Sequence, residues 1–287
     1  MPNEFTLEVN PGLQSPRTLK DWKAAGIDRI SLGVQSFDDR VLRTLERSYT
    51  SVEAMSFFER LRNEGFENIN IDLMIGVPGE DKSNAQNILD KVETLRPDHV
   101  SLYILENIEG LPFETIVRKN PVDDDWVADE YLDLTRGLKA LGFSHYEISN
   151  FALEGKECLH NLKYWRYEPF VGLGPSACSH LGNSRWCNTE NLVSWRESLE
   201  GKGELKTEVI ELGPEDALKE AVIFGLRLVG GIRPSEIKSR FGLDILTRYG
   251  GIIEDLRAEG LLIREEDVIR IPEDKLLVSN QILSCFA

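Results

Sequence analysis

The feature that most constrains this chain is the repeated return of a short apolar strand and an amphipathic helix over its first 105 residues. "FTLEVNP" leads to "SPRTLKDWKAAG", "RISLGVQSF" to "DDRVLRTLERS" and "VEAMSFFERLRNEG", "NINIDLMIGVPGE" to "NAQNILDKVETL", and "HVSLYIL" closes the series. Strands alternating with helices of about 10–15 residues define βαβ units and a parallel sheet. Parity within the strands adds a second constraint. Phe5, Leu7 and Val9 oppose Thr6, Glu8 and Asn10; Ile30, Leu32 and Val34 oppose Ser31, Gly33 and Gln35; Ile69, Ile71, Leu73 and Ile75 oppose Asn70, Asp72 and Met74. A parallel sheet covered on both sides is apolar on both faces, so a polar or small face in three successive strands predicts a barrel or curved sheet. Its outer apolar residues would pack under helices and its inner polar ones line a cavity. An antiparallel sheet with one wet face is the alternative, and the intervening helices argue against it.

Beyond this region the pattern predicts a helix from about Asp124 to Leu141 after the acidic "VDDDW", then one strand in "HYEISNFA". Residues 1–150 form the expected barrel portion, and 151–206 an irregular, aromatic-rich connection containing "HNLKYW". Residues 207–287 read as three helices, a two-stranded wing and a final helix, a winged-helix-like α+β module. The glycines of "GLGPSA" precede no helix, so they read as a tight turn exposing backbone beside a ligand rather than a dinucleotide loop. A formal charge of −16 argues against a nucleic-acid partner, because such binding rests on neutralising phosphates. The third helix of the module carries Asp244, Glu254, Asp255 and Glu259 against Arg248 and Arg257, which makes it a packing module rather than a DNA reader. No apolar run approaches the roughly 18 residues of a membrane span. The first residues lack a basic and apolar leader, so the expected location is the cytoplasm. Cys158, Cys178, Cys187 and Cys285 show no CxxC or CxxxC spacing and are expected as four reduced thiols.

Reactive groups of βα barrels sit at the C-terminal ends of strands. Glu8, Gln35 and Asp72 lie near such ends on the inner face, and Arg47 follows within the next helix-like segment. Two carboxylates, an amide and a guanidinium suit a ligand with ribose hydroxyls, an amino group and a carboxylate. A buried arginine–carboxylate pair that merely orders the barrel is the structural alternative.

In their order, "TLEVNP", "RISLGVQSF", "NINIDLMIGVPGE", "YEISNFA" and "HNLKYW" resemble the radical S-adenosylmethionine proteins related to oxygen-independent coproporphyrinogen III oxidase. Within them the chain is similar to the heme-chaperone (HemW-like) branch rather than to the oxidases, over essentially its whole length. The resemblance implies an incomplete, TIM-like (β/α)6 barrel with S-adenosylmethionine at the strand ends, held by Glu8, Gln35, Arg47 and Asp72. Glu8 and Gln35 would recognise the ribose, and Arg47 and Asp72 would make methionine-side or supporting contacts. The family's CxxxCxxC loop, which holds a 4Fe-4S cluster, and its glycine-rich "GGGTP"-like strand end do not occur in this sequence. The chain enters the family pattern at what would be the third strand, as a truncated reading frame or product would. By itself it is therefore expected neither to bind the cluster nor to make a 5′-deoxyadenosyl radical, since the cluster supplies that electron.

Three functions follow from the resemblance: heme binding and delivery to heme-requiring proteins, oxidative decarboxylation of coproporphyrinogen III, or a remnant with neither. "HNLKYW" discriminates between them. A histidine among aromatics, read alone, is a hydrogen-bonded core residue. With the resemblance, His160 becomes a heme contact, with Tyr164 and Trp165 as flat apolar surface. Basic residues that would recognise propionates are sparse around residues 145–190. Cys178 stands where relatives commonly have histidine, with His180 two positions later and Cys158 two residues before His160, so Cys178, His180 and Cys158 either provide alternative heme ligands or merely pack together.

Overall fold

The computed structural model describes residues 3–12, 14–81, 84–106 and 114–287. The chain divides into two compact units, Met1–Glu157 and Cys158–Ala287. The first unit runs β1 (Thr6–Val9), α1 (Pro16–Ala24), β2 (Arg29–Gln35), α2 (Asp39–Thr44), α3 (Ser51–Asn63), β3 (Ile69–Ile75), α4 (Asn84–Leu95), β4 (His99–Ile104), α5 (Glu114–Lys119), α6 (Asp124–Ala140), β5 (Ser144–Glu147) and β6 (Asn150–Ala152). Its sheet has the order β1-β2-β3-β4-β6-β5. The first four strands are parallel, as expected, each reached through a helix.

"HYEISNFA" departs from the expectation. It forms two antiparallel strands, β5 and β6, and β6 runs antiparallel to β4. The reason is local. A one-residue irregularity between His145 and Glu147 and a turn at Ile148–Ser149 reverse the chain, and the Asn150 amide donates to the buried Glu147 carboxylate across that turn.

The helices start where sequence chemistry says they should. Ser15 caps α1 by accepting from the Thr18 amide, with Pro16 in the first turn. Thr50 and Glu53 form a reciprocal capping box on α3, and Asp123 accepts from two amides at the start of α6. Each arrangement satisfies N–H groups that a helix start leaves without partners. The apolar parity positions of β2 and β3 form the core. Ile30, Leu32, Val34, Ile69, Ile71, Leu73 and Ile75 are all buried, packed with Phe57, Phe58 and Leu61 of α3. On the opposite face Ser31, Gln35, Asp72 and Met74 stay half-buried. Phe5, just before β1, is the exception, 43% exposed rather than packed.

The second unit contains α7 (Leu159–Trp165), β7 (Cys178–Leu181), β8 (Ser184–Asn188), α8 (Leu192–Leu199), β9 (Lys206–Glu211), α9 (Pro214–Gly225), α10 (Pro234–Phe241), α11 (Ile245–Ala258), β10 (Ile263–Glu265), β11 (Val268–Arg270) and α12 (Ser279–Ser284). The stretch expected to be irregular is thus ordered: it holds two helices and the strands β7 and β8, which β9 extends to a three-stranded antiparallel sheet, β7-β8-β9. Helices α9 to α11 are followed by the antiparallel β10–β11 hairpin and then α12. Arg257 and Arg264 pair with Glu254, and Arg248 with Glu215. Among the described residues no helix is long and apolar enough to cross a membrane.

Candidate functional site

In the first unit, in-register pairing carries polar side chains across the sheet. Glu8 lies beside Ser31, Ser31 beside Asn70, and Asp72 beside Ser101. The Asn70 amide donates to Ser31 Oγ at 2.8 Å and to Asp72 Oδ1 at 2.7 Å. Its oxygen accepts from Ser101 Oγ at 3.2 Å and lies 2.6 Å from His99 Nδ1. An amide oxygen only accepts, so His99 carries its proton on Nδ1, and Nε2 accepts from the Tyr146 hydroxyl at 2.8 Å. Burial, with Arg29 second, holds the His99 pKa well below its ordinary value. The imidazole is neutral and structural.

Asp72 sits at the head of this network. Burial raises its carboxyl above the usual range, Glu8 adds to that, and hydrogen bonds from Asn70 and Ser101 oppose it. Tyr103, on β4, is pushed up to about 12 by burial first and by Asp72, Glu147 and Glu8. Glu8 and Asp72 therefore share one electrostatic environment, as the strand parity predicts.

Gln35 and Arg47 are placed by routes that simple alternation does not foresee. The β2–β3 register slips between Leu32 and Gln35, so Gln35 pairs with Leu73, and Gln35 takes the left-handed conformation (φ 66°). This bulge folds its side chain back over Gly33. A Cβ on Gly33 would lie 2.8 Å from Asn10 Oδ1 and 2.9 Å from Gln35 Nε2, so only glycine lets the two amides converge there. The Tyr49 hydroxyl, itself buried, donates to the Gly33 carbonyl at 2.5 Å and clamps the bulge.

Arg47 is not in a helix. α2 ends at Thr44, Glu46 turns left-handed (φ 54°), and Arg47 lies in the turn before α3. Its Nε is buried without a hydrogen-bond partner. Among the described residues the ordering ion pair considered from sequence is not formed. Burial raises the Tyr49 hydroxyl, Arg47 lowers it and Asp72 raises it, so both charges act on Tyr49. Asn10, Gly33 and Tyr49 escape sequence reasoning because a bulge has no residue signature of its own. The glycine in "LGVQ" was the available signal.

In the second unit "HNLKYW" forms most of helix α7, with Cys158 at its N-cap. The four-residue spacing puts His160 and Tyr164 on one face, their rings 4.8 Å apart and edge-on. His160 is exposed, and Tyr164 is backed by Phe170 at 4.4 Å. Trp165 is not beside them. It packs against Phe224 of α9 at 6.4 Å, under Arg227.

The other candidates separate as well. His180 is buried against Tyr167 at 4.4 Å, its Nε2 sealed without a partner, and burial lowers its pKa. Cys178 is joined to Cys187 by a disulfide, which corrects the expectation of four reduced thiols and removes Cys178 as a thiolate ligand in this state. Cys158 is buried and takes no part in a disulfide, and Cys285 is exposed. "GLGPSA" is a turn that leads directly into β7. Among the described residues no group of three or more His, Cys, Asp or Glu could hold a metal ion.

The radical SAM superfamily profile matches residues 2–92, and the HemN C-terminal domain profile matches residues 212–274. The solved coproporphyrinogen III oxidase HemN of Escherichia coli, a radical SAM enzyme, superposes with a TM-score of 0.79. It covers 99% of this chain and 69% of its own at 22% identity, and so shares the fold. The heme chaperone HemW of Bacillus subtilis is 30% identical over 287 residues, covering 99% of this chain and 76% of the relative. The heme chaperone HemW of Mycobacterium tuberculosis is 34% identical over 80% of this chain and 60% of the relative. The chain belongs to the HemW family of radical SAM proteins.

Proposed function

We propose that this protein binds heme on the His160–Tyr164 face of α7 and hands it to heme-requiring proteins, with S-adenosylmethionine held at the strand ends of the first unit. The observation that carries the heme reading is an exposed imidazole held edge-on to a tyrosine ring that Phe170 backs. Such an arrangement offers an iron ligand and an apolar surface for a porphyrin. Of the remaining candidates, sealed His180 and disulfide-bonded Cys178 need rearrangement or reduction before they could ligate. The names of the relatives support the same reading.

Glu8, Gln35, Arg47 and Asp72 are proposed as the S-adenosylmethionine contacts. The unpaired Nε of Arg47 and the amides converging over Gly33 fit a ligand with a carboxylate and hydroxyls. S-adenosylmethionine supplies radical chemistry only with an iron–sulfur cluster. The part this chain's residues play is to bind and orient it.

The test of function is transfer. Hemin mixed with the purified chain is expected to co-elute with it near one per chain and then to pass to apomyoglobin, followed by its absorption. Absence of co-elution, or hemin that apomyoglobin cannot remove, contradicts the proposal.

A further inference from the structure

The Cys178–Cys187 disulfide plays no part in the reading above, yet it lies in the unit that carries His160. The two cysteines face each other in register on β7 and β8. The Asn188 amide donates to the Ala177 carbonyl at 2.9 Å. That bond marks Cys178 and Cys187 as a pair exchanging no backbone bonds of its own, the position where antiparallel side chains come closest. Cys178 is exposed and Cys187 half-buried, so a small thiol or disulfide reaches them.

The bond sits at the root of a folded-back loop. The Gly172 amide donates to Ser179 Oγ at 3.0 Å, the Asn188 side chain to the Gly174 carbonyl at 2.8 Å, and the Ser176 amide to the Thr189 carbonyl at 3.2 Å. Gly172 approaches so closely that a Cβ there would lie 2.3 Å from the Cys178 carbonyl. From this root a short chain of contacts leads to the heme face. His180, two residues after Cys178, exchanges two backbone hydrogen bonds with Phe170, at 2.8 and 2.9 Å. The Phe170 ring backs Tyr164, and Tyr164 meets His160.

We propose that Cys178 and Cys187 form a reversible thiol–disulfide switch that sets how tightly the His160–Tyr164 face holds heme, tight when oxidised and loose when reduced. This inference rests on the heme reading above. On oxidation the two thiols lose two protons and two electrons as the S–S bond forms, and a low-molecular-weight disulfide accepts them, becoming two thiols. On reduction a thiolate of a dithiol attacks one sulfur, passes through a mixed disulfide and leaves oxidised. The bond ties β7 to β8 and fixes the loop root that holds Phe170 behind Tyr164. Without it that backing is ordered for a smaller fraction of the time, and apparent affinity falls by that fraction.

The test uses the full chain carrying Cys285→Ser, which removes the exposed thiol, poised with glutathione disulfide or with tris(2-carboxyethyl)phosphine. Alkylation under denaturing conditions reports the state, and hemin is titrated by its Soret absorption. Two fewer alkylated thiols and about tenfold tighter hemin binding are expected in the oxidised chain, a size ordinary for coupled sites. Cys187→Ser is expected to give the reduced-state affinity under both poises, although it keeps the Cys178 thiol. Full alkylation after glutathione disulfide, equal affinities in the two poises, or a redox dependence that survives Cys187→Ser would overturn the switch. If neither poise forms any hemin complex, the heme reading itself fails, and the switch with it.

Discussion

At the scale of single residues, Glu130 is where folding and pH meet most sharply. It lies on α6 and is 4% exposed, with Oε1 lacking a hydrogen-bond partner. Burial, followed by Glu80, Asp133 and Asp81, raises its carboxyl from 4.5 to about 7. A folded-state pKa above the unfolded one means the folded chain binds the proton more tightly. The group therefore costs nothing below about pH 4.5 and destabilises progressively as pH rises through about 7. The full shift corresponds to about 3 kcal/mol as an upper estimate. Glu130→Gln is thus expected to gain melting temperature over the parent chain at pH 8 and almost none near pH 4.5. A gain independent of pH in paired thermal melts would contradict the assignment. His99 illustrates the other outcome for a buried polar group. It keeps partners on both ring nitrogens and gains structure rather than reactivity.

At the scale of elements, the β2 bulge decides how the proposed S-adenosylmethionine site is built. Strand alternation correctly separates the core positions of β2 and β3 from their polar face, because period two is fixed by the backbone. It cannot show the slipped register at Gln35, since one extra residue in a strand leaves no mark in composition. The end of α2 is hidden in the same way. "LRTLERS" continues the helical pattern, but Glu46 turns left-handed and sets Arg47 into the loop. Gly33→Ala is expected to weaken S-adenosylmethionine binding at least about tenfold by calorimetry, a loss of roughly 1.4 kcal/mol, because its Cβ would displace Asn10 and Gln35. Asp72→Asn serves as the control for the site as a whole. If Asp72→Asn weakens binding and Gly33→Ala leaves it unchanged, the converging amides are not part of the site.

At the scale of the whole molecule, the sequence reveals the parallel βα unit and the C-terminal helices and wing, where periodic patterns are long enough to read. The boundary falls at Glu157–Cys158 rather than at a connector spanning 151–206. That stretch hides its order because its strands β7 and β8 are only four and five residues long, and β7 ends on the exposed Leu181. The disulfide was hidden too, because pairing Cys178 with Cys187 needs the β7–β8 register, which cysteine spacing does not reveal. "HNLKYW" stood out as a motif, yet only its helical geometry separates His160 and Tyr164 from Trp165. The claim at the centre of this account is that His160 is the heme ligand of the second unit. Its most direct test is the ferric Soret spectrum of the hemin complex in the parent chain, His160→Ala and His180→Ala. A histidine-type spectrum lost in His160→Ala and kept in His180→Ala is the expected result; a spectrum unchanged by His160→Ala would contradict it.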